Sequence, residues 1–298
     1  MFKGENIIEF TRKFKDDNSC HLYLSEIKWA KGYKCKNCGS THYSIRKNNH
    51  SRECCKCHYI ESPTAGTMFH KVKFGIQKAF MIVFEMSATT RGLSSNQVAK
   101  RYSITRKTAW YFMHKVRIAM KSKQEHPITG VVQVDEFVYG GKENLKQGRS
   151  YDSKKKKLIA AVELTKTNKV SRVYFKRLED YSSKSLKTIF DNHISKDARV
   201  YTDKWSGYNP LKSEYNITQS LSDNGNGMRQ MHTIIHQVKS WLRSVYSWVH
   251  DKHIEKYLDE FSFRINRSIY KQTIFHKLVE RFVEANYIEF EQIKIVTK

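Results

Sequence analysis

The cysteines place the strongest constraint on how this chain can fold, because all six of them lie before residue 58. Four stand as two Cys-x-x-Cys pairs, Cys35 with Cys38 and Cys54 with Cys57, and fifteen residues separate the pairs. Two pairs at this separation predict a closed tetrahedral site of four thiolates, which is typical of structural Zn²⁺. A disulfide framework is disfavoured, since the cysteines are clustered in a long chain that is not evidently secreted.

Residues 31–70 are therefore predicted to form a zinc β-ribbon, in which the metal supplies the folding energy that so polar a segment lacks. Cys55 adjoins a predicted ligand and is expected to point away from the metal, and Cys20 is expected in an apolar core. Two alternatives stay open: His58 replaces one of the thiolates, or the cysteines are ordinary reduced thiols. Ribbons of this kind bind nucleic acid or protein, and the spacing does not decide between them.

The net charge of +25, from 54 Lys and Arg against 29 Asp and Glu, favours a polyanionic partner. Each phosphate that a basic side chain neutralises releases condensed counterions, which adds sequence-independent affinity for nucleic acid. A lysine-rich proteome is the alternative origin of the excess. A membrane surface is disfavoured because no basic helix has one broad apolar face. No apolar run approaches the roughly 18–20 residues of a membrane span and no signal peptide is evident, so a cytoplasmic protein is expected.

Helical periodicity extends from residue 71 to about 125, and residues 1–30 form a helical lead-in. Ser94 and Thr105 each begin a predicted helix, the second of which extends to Met120. Two helices joined by a short turn are typical of a helix-turn-helix module, in which the start of the second helix contacts base edges. The candidate DNA-binding residues are accordingly Thr105, Arg106, Lys107 and Tyr111. An ordinary helical hairpin with solvated basic side chains is the alternative.

Strand-like patterns follow a break at Glu125–Gly130. The apolar run Val131–Val138 is followed by two runs that flank the turn residues 165–169, which predicts a hairpin. A helix, a short strand and further helices from about Met231 complete the pattern, so we expect an α/β domain with a mixed sheet. The remaining predicted segments are the strands Lys157–Leu164, Val170–Phe175 and Arg199–Thr202, the helix Ser182–Ile194 and the loop Ser222–Gly227.

Two aspartates occupy strand positions where an isolated charge is costly to bury. Asp135 lies inside the apolar run, and Asp203 directly follows Val200-Tyr201. Carboxylates on neighbouring strands bind hard divalent cations such as Mg²⁺ through oxygen. A salt-bridged or strand-end role is the alternative for each aspartate. Glu136 is left out of this predicted metal set, because side-chain alternation directs it to the opposite face of the strand.

The flanking residues add several motifs in a fixed order. Those in the first half are Trp29 with Gly32–Cys35, Ala65–Phe69, Lys107–Trp110 and Met113–Arg117. Those in the second half are Val134–Lys142, Tyr201–Asp203 and His253–Arg267. Together, from about residue 15 to 270, they resemble the DDE-type transposases of bacterial insertion sequences that carry an N-terminal zinc ribbon. Coincidence does not account for several separate motifs in one order.

The resemblance implies an RNase H-like catalytic domain over residues 129–275, with Asp135, Asp203 and a third residue as metal ligands. In the general pattern the third ligand is Glu, followed seven residues on by Lys or Arg. No Glu fits here, but His232 precedes Lys239 by seven residues, and close to two helical turns put both side chains on one face. The resemblance allows His at this position, and imidazole favours Mn²⁺ over Mg²⁺. The alternatives are His236, Glu255, Glu260 and a plain helix-start role for His232.

The implied function is that of a DNA transposase, which binds the terminal inverted repeats of an insertion sequence and performs metal-dependent cleavage and strand transfer into target DNA. Its implied cofactors are structural Zn²⁺ and catalytic Mg²⁺ or Mn²⁺, with Lys239 at a phosphate near the cut. Arg264 and Arg267 are further candidate DNA contacts, with solvated or ion-paired side chains as the alternative. A homodimer or higher assembly on double-stranded DNA, associated with the bacterial nucleoid, is also implied. The competing functions are a non-catalytic DNA-binding regulator and an RNase H-like nuclease without strand transfer.

The predicted fold is therefore multidomain, with α+β and α/β parts and no internal repeat. Its predicted parts are a helical lead-in at 1–30, a zinc β-ribbon at 31–70, a helix-turn-helix region at 71–125, an RNase H-like catalytic domain with a mixed sheet and flanking helices at 129–275, and a C-terminal helical tail at 276–298.

Overall fold

The computed structural model describes residues 1–4, 6–89, 91–141, 143, 154–221 and 227–294, and the chain folds as two compact units. The first unit combines Met1–Met120 with Ile269–Lys298, and the second unit comprises Lys121–Ser268. Of the predicted features, Lys142, the loop residues 222–226 and residues 295–298 lie outside the described residues.

Helices are numbered α1–α10 and strands β1–β8 in chain order. The helices are α1 Ile7–Lys13, α2 Asp17–Lys28, α3 Ile76–Ala88, α4 Ser95–Tyr102, α5 Arg106–Met120, α6 Ser183–His193, α7 Arg229–Val245, α8 Ile254–Ile265, α9 Lys271–Glu284 and α10 Phe290–Lys294. The strands are β1 Tyr43–Ile45, β2 Arg52–Cys54, β3 Ile60–Glu61, β4 Val131–Tyr139, β5 Lys156–Leu164, β6 Val170–Leu178, β7 Arg199–Thr202 and β8 Asn216–Gln219. Over the described part of the chain, none of the helices has the length and apolarity needed to cross a membrane.

The two helices predicted to begin at Ser94 and Thr105 are confirmed, together with their start signals. The Ser94 hydroxyl accepts a hydrogen bond from the Gln97 N–H at 3.3 Å, and the Gln97 side chain accepts one from the Ser94 N–H at 2.9 Å, which forms a capping box. Ser103 adopts a left-handed conformation at φ 51° and ends α4. The Thr105 hydroxyl caps α5 by accepting the Thr108 N–H at 3.1 Å, so only a short turn joins the helices.

The helices of the first unit enclose an aromatic core that includes α9. The Phe275 ring of α9 lies 5.0 Å from the Phe10 ring, and the Phe282 ring lies 4.7 Å from the Phe69 ring. Phe275 and Phe282 are both buried, and a fully buried side chain of this size stabilises a fold by roughly 1.5–3 kcal/mol. Cys20 is buried, as predicted. The predicted tail at 276–298 therefore contributes Phe282 to this core, whereas residues 269–275, predicted as part of the catalytic domain, belong to the first unit.

The second unit is built on a five-stranded mixed sheet in the order β6-β5-β4-β7-β8. β4, β5 and β6 are antiparallel neighbours, whereas β7 pairs in parallel with both β4 and β8. Helices α7 and α8 pack on one face, and α6 with the 3₁₀ helix Ser206–Ser213 packs on the other. Because both faces are covered, β5 is buried from Leu158 to Leu164, as its nearly continuous apolar run requires. The predicted mixed sheet with flanking helices is confirmed.

Candidate active site and metal centres

The strand register of the second unit brings the two predicted aspartates together. β4 and β7 pair in parallel with Gln133 opposite Tyr201, so two residues further along both strands Asp135 and Asp203 reach the same level. Residues i and i+2 of a strand face the same side. Parallel neighbours point their carboxyl ends the same way, and Asp203 comes directly after β7 ends at Thr202. Two residues far apart in the chain therefore meet at one edge of the sheet.

Hydrogen bonds around the end of β7 hold Asp203 in place. Its Oδ1 accepts the Trp205 N–H at 3.0 Å, which forms an Asx turn. Gln219 of β8 donates through Nε2 to the carbonyl oxygens of Asp203 and Trp205 at 3.1 and 2.9 Å. The Trp205 indole N–H donates to the Tyr181 carbonyl oxygen at 3.1 Å. The turn is thus fixed by the protein alone, and the carboxylate is positioned independently of any ligand.

Glu136 joins the two aspartates, although side-chain alternation predicted that it would not. Carboxylate oxygens of Asp135, Glu136 and Asp203 lie within 4.8 Å of one another. The buried Tyr208 lies beside them: burial and then the charges of Glu136, Asp135 and Asp203 raise the pKa of its hydroxyl well above the usual value. Tyr208 belongs to the core on the α6 side of the sheet. Glu136 therefore approaches the acidic cluster from the other face of β4, as alternation predicted, and its carboxylate lies close to the two aspartates although it was left out of the predicted metal set.

A buried glutamine anchors α7 over β4. Gln133 is 7% exposed, and its Oε1 accepts the Met231 N–H at 3.2 Å. This N–H belongs to the first turn of α7, where donors have no partner within the helix, and the N-cap residue Met228 provides no side-chain cap. The next residue is His232, whose Nε2 lies 3.4 Å from Asp135 Oδ2. Gln133 therefore positions His232 beside the aspartate that follows two residues later on β4.

One cleft of about 620 Å³ collects the predicted residues of α7 and the carboxylates of β4. The α7 residues that line it share one helix face, and they are His232, Ile235, His236 and Lys239. Glu255 and Glu260, the other candidates for the third ligand, belong to α8 and lie outside this lining. Glu260 is fully buried, and Glu255 accepts the Arg177 N–H at 3.1 Å. His232 is therefore the candidate that the geometry favours.

Lys239 lies between the carboxylates of the acidic cluster and other basic side chains. Its Nζ is 5.3 Å from the centroid of the Phe137 ring. Burial lowers its pKa, as does the charge of Arg243, whereas the Asp135 carboxylate acts in the opposite direction. A partly desolvated ammonium close to a catalytic carboxylate is well suited to contact a phosphate oxygen.

The acidic cluster has a donor set that fits a hard divalent cation. Oxygen ligands at about 2.1 Å from an octahedral ion lie roughly 3.0 Å apart when adjacent and about 4.2 Å apart when opposite. The carboxylate oxygens, all within 4.8 Å, need only small shifts to reach these separations. The distance of 3.4 Å between His232 Nε2 and Asp135 Oδ2 already lies between the adjacent and the opposite ligand separations. Carboxylates held this closely repel one another unless bound cations or protons offset the charge.

In the first unit, the four predicted cysteines converge in two knuckles of the same construction. Their sulfurs all lie within 4.8 Å of one another. The Gly39 N–H donates to the Cys35 carbonyl oxygen at 2.9 Å, and the His58 N–H donates to the Cys54 carbonyl oxygen at 3.0 Å. Gly39 and His58 both have positive φ, 73° and 56°, so His58 serves as the turn residue of its knuckle and stands outside the sulfur cluster. Cys55 is exposed, as expected.

The sulfur separations fit a tetrahedral site. Sulfurs at about 2.3 Å from one zinc ion are roughly 3.8 Å apart, and the Cys35–Cys57 and Cys38–Cys54 Sγ pairs are 3.6 and 3.5 Å apart. Burial opposes the ionisation of Cys35, but the N–H groups of Cys38 and Asn37 outweigh it and lower its pKa to about 6. A lowered pKa favours the thiolate that a metal ion requires. The four-cysteine cluster is therefore able to hold a metal ion.

At the start of α5, two of the predicted DNA-binding side chains contact the C-terminal segment. The Lys107 ammonium lies 4.8 Å from the centroid of the Phe290 ring, and the Tyr111 hydroxyl donates to the Ile288 carbonyl oxygen at 2.5 Å. Arg106 is exposed. The helix pair is thus present, while DNA contact by these residues stays a prediction.

The two predicted arginines near the end of α8 have partners within the second unit. The Arg264 side chain is 10% exposed and lies 3.9 Å from Glu260, with its guanidinium 5.0 Å from the centroid of the Trp241 ring. Arg267 lies 4.1 Å from the centroid of the Phe263 ring. The ion-paired alternative describes Arg264 better than DNA contact does, and for both residues DNA contact stays a prediction.

Sequence reasoning missed three contributors to the site. Gln133 had a usable signal, because it is a polar residue inside an apolar run and faces the same side as Asp135. The reach of Glu136 and the burial of Tyr208 beside it have no comparable signal in the sequence. Both depend on how the 3₁₀ helix Ser206–Ser213 packs against the sheet.

A mixed α+β domain with carboxylates gathered where the parallel pairing of two adjacent strands ends defines a candidate metal-dependent enzyme domain. Residues 127–266, which are 140 of the 298 residues, match the family model of the ISXO2-like transposase domain. This segment is therefore an ISXO2-like transposase domain, and the resemblance predicted from the sequence is confirmed over it. It includes Asp135, Asp203, His232 and Lys239. No curated protein matches the chain.

Among solved structures, similarity is found to complexes of the Mos1 transposase. The pre-cleavage Mos1 transpososome has 10% sequence identity and a TM-score of 0.26, and the match covers 70% of this chain and 79% of that chain. The Mos1 paired-end complex with the left transposon end has 12% identity, a TM-score of 0.21 and the same coverage. TM-scores this low mean that the folds differ too much for these neighbours to support an assignment.

Proposed function

We propose that this chain is the DNA transposase of an insertion sequence, which binds the terminal inverted repeats, cleaves phosphodiester bonds at the element's ends and joins them to target DNA. The observation that carries the proposal is the convergence of the Asp135, Glu136 and Asp203 carboxylates within 4.8 Å, inside a transposase family domain. Carboxylates on two adjacent parallel strands at the centre of a mixed sheet also support the RNase H-like fold that the resemblance implies.

The acidic cluster and His232 are the proposed ligands for Mg²⁺ or Mn²⁺. When bound, two divalent cations activate the attacking water and stabilise the leaving oxygen of phosphodiester hydrolysis. The hydrogen bonds around Asp203 fix its carboxylate beforehand, which reduces the reorganisation needed during the reaction. His232 adds a nitrogen donor, which favours Mn²⁺ over Mg²⁺. Gln133 holds that imidazole in place through the start of α7.

Lys239 is the proposed contact to a phosphate beside the cut. It lies about 10 Å from His232 along the axis of α7, a distance that spans roughly three phosphates of one strand. Its ammonium would hold the strand while the carboxylates position the reacting phosphate. After cleavage, the 3′-hydroxyl held in the same cleft would attack a phosphate of target DNA, which is the strand-transfer step.

The first unit is the proposed DNA-recognition part, with structural Zn²⁺ in the four-cysteine cluster. Arg106 is exposed at the start of α5 and is the best placed of the predicted contacts. Base contact by Lys107 or Tyr111 would require the segment at Ile288–Phe290 to leave α5. The net charge of +25 predicts that log affinity falls steeply and linearly with log salt. Since two element ends must be cut together, a homodimer or higher assembly on double-stranded DNA is proposed.

The test is cleavage of DNA that carries candidate element ends, with Mn²⁺ and with Mg²⁺. Asp203→Ala and His232→Ala are expected to abolish or strongly reduce cutting, while both variants still bind the DNA. Asp197→Ala is the matched control, because Asp197 is an exposed aspartate just before β7 and lies outside the acidic cluster. This control should cut as the wild type does.

Other outcomes would select among the competing functions. Cutting lost only in Asp203→Ala would move the third ligand away from His232. No cutting by the wild type on well-bound DNA would contradict the enzyme and favour a DNA-binding regulator. Cutting without joined donor and target products would favour a nuclease.

A further inference from the structure

A second pocket of about 570 Å³ lies at the end of β4, beyond the catalytic cleft in the same unit. Tyr139 at the end of β4, Arg243 of α7 and Trp248 line it. Its other basic residues are Lys154, Lys155 and Lys156. Among the described residues of its lining, Glu143 is the only acid. The pocket is therefore strongly basic, and it contains an aromatic ring.

β4 and α7 run alongside each other from the cleft to this pocket. At one end Gln133 accepts the Met231 N–H, and at the other Tyr139 and Arg243 line the pocket together. The strand advances about 20 Å between these points and the helix about 18 Å. The two elements therefore run in the same direction over nearly equal lengths. On the strand, Asp135 and Tyr139 are about 13 Å apart.

Positive charge continues from the cleft into the pocket through Lys239. After burial, the largest influence on the Lys239 pKa is the charge of Arg243, and Lys155 acts in the same direction. Both residues therefore lie close enough to affect a lysine that also interacts with Asp135. A strand whose phosphates follow these cations would release counterions along the whole path.

Trp248 distinguishes this pocket from an ordinary basic patch. Its side chain is 71% exposed, an unusual state for so large an apolar ring. The ring lies 5.2 Å from the His250 ring, and His250 Nδ1 accepts the Lys252 N–H at 3.2 Å. Inside a duplex, each base is covered by its neighbours in the stack, so an indole can stack only on a base that is unpaired or terminal.

We propose that this pocket binds an unpaired nucleotide of the DNA strand that enters the catalytic cleft. Its base stacks on Trp248, and its flanking phosphates contact Arg243 and the lysines at 154–156. The separation of about 13 Å is several times the rise of roughly 3.4 Å per nucleotide along a duplex and larger still than one step of an unpaired strand, so the captured base lies within a few nucleotides of the cut. The inference rests on the proposed function, because it assigns the strand to the DNA being cut. Capture of this base would keep the end of the duplex open beside the reacting phosphate.

The test compares a blunt duplex with the same duplex carrying a short single-stranded extension that contains 2-aminopurine. Binding is measured without added Mg²⁺ or Mn²⁺ and without a chelator, so that cleavage does not contribute and the zinc proposed for the four-cysteine cluster is not removed. The wild type is expected to bind the extended duplex more tightly and to quench the 2-aminopurine fluorescence. Trp248→Ala should lose roughly 5- to 100-fold in affinity for the extended duplex, because stacking on an aromatic ring contributes this much per base. Its affinity for the blunt duplex should fall much less, because only a terminal base is open to stacking there, and Trp248→Phe should keep most of the preference.

Two basic positions provide the electrostatic controls. Arg243→Ala is expected to weaken binding of the extended duplex and to reduce the slope of log affinity against log salt by about one phosphate contact. Lys166→Ala is the matched control, because Lys166 is an exposed lysine in the turn after β5, at the opposite end of that strand from the pocket. It should leave both the preference and the quenching unchanged.

The inference is overturned if Trp248→Ala binds both duplexes as the wild type does, or if the quenching survives in that variant. Failure of the proposed function would give a different result. The wild-type protein would still quench the 2-aminopurine fluorescence but would cut no DNA with Mn²⁺ or Mg²⁺. Asp203→Ala links the two tests, since it should lose cutting and retain the quenching.

Discussion

The cysteine cluster of the first unit and the carboxylate cluster of the second unit are assembled in opposite ways. Each cysteine knuckle is set by a hydrogen bond between residues four apart, such as Gly39 to Cys35. The carboxylates meet only through the register of β4 with β7, and His232 reaches them through the packing of α7. The cysteine cluster is a closed set of identical ligands, whereas the acidic cluster opens onto a cleft. If the proposed metals bind, the metal of the cysteine cluster would be part of the fold, whereas in the second unit the fold would hold the acidic site ready for its metal.

The largest effect is expected when one thiolate of the cysteine cluster is removed. Cys54→Ser should release the bound zinc and unfold residues 31–70, because zinc binding on the order of 10 kcal/mol supports the folding of such sites. Zinc content by mass spectrometry and amide-exchange protection of the ribbon measure the two effects. Cys55→Ser is the control, since Cys55 is adjacent, exposed and outside the cluster. If residues 31–70 kept full amide-exchange protection without zinc, the ribbon would fold without its metal and the contrast with the second unit would be wrong.

Removal of one carboxylate should do the reverse, by abolishing activity and sparing the fold. Asp135→Asn is expected to reduce cleavage by about 10³-fold or more, because metal ions supply several kcal/mol of transition-state stabilisation. The thermal midpoint should stay the same or rise, since one charge fewer relieves the repulsion among the three carboxylates. Asp197→Asn should change neither quantity. A midpoint several degrees lower in Asp135→Asn would mean that this aspartate is structural.

Acid should destabilise the second unit through a buried histidine that binds no metal in the proposed site. His193 stacks on Tyr174 with ring centroids 4.2 Å apart, and burial, followed by the charges of Lys176 and Lys121, lowers its pKa to about 4. The unfolded chain takes up this proton near pH 6.5, so the folded state loses stability as the pH falls from about 6.5 to 4. His193→Phe should remove roughly 1–3 kcal/mol of this loss, measured by urea unfolding across that range. An unchanged pH dependence in the variant would contradict the assignment.

The smallest expected effect comes from the anchor of α7. Gln133→Leu leaves the buried Met231 N–H without its acceptor and should cost about 1–2 kcal/mol of stability. It should also lower kcat several-fold with little change in KM, because His232 loses its fixed position. Gln133→Glu keeps an acceptor oxygen and should restore much of the kcat. Thr233→Ala, on the exposed side of the same helical turn, is the control. A loss of stability with unchanged kcat would make Gln133 purely structural.

The parts that could be predicted from the sequence are those decided within a few residues. The spacing of the cysteine pairs identified the cluster, and the capping residues Ser94 and Thr105 identified the helix starts. The apolar run around Asp135 identified β4. In each case the physical cause is a local turn, a cap or side-chain periodicity, so distant segments are not needed.

The parts that could not be predicted depend on contacts between distant segments. Alternation placed Glu136 on the correct face of β4, but it could not show how far the carboxylate reaches. The helix-turn-helix pattern gave no sign that Tyr111 and Lys107 contact residues near the C-terminus. The spacing from His232 to Lys239 indicated a shared helix face, whereas the anchor that positions this face is on another strand.

The division of the first unit between two separate chain segments has a consequence for synthesis. The chain emerges from the ribosome N-terminus first, so Lys121–Ser268 leaves the ribosome before α9 does. Until then the rings of Phe10 and Phe69 lack their partners Phe275 and Phe282. The unit with the acidic cluster can thus begin to fold first, and the nascent half with the cysteine cluster keeps an exposed aromatic surface that chaperones would recognise until α9 emerges.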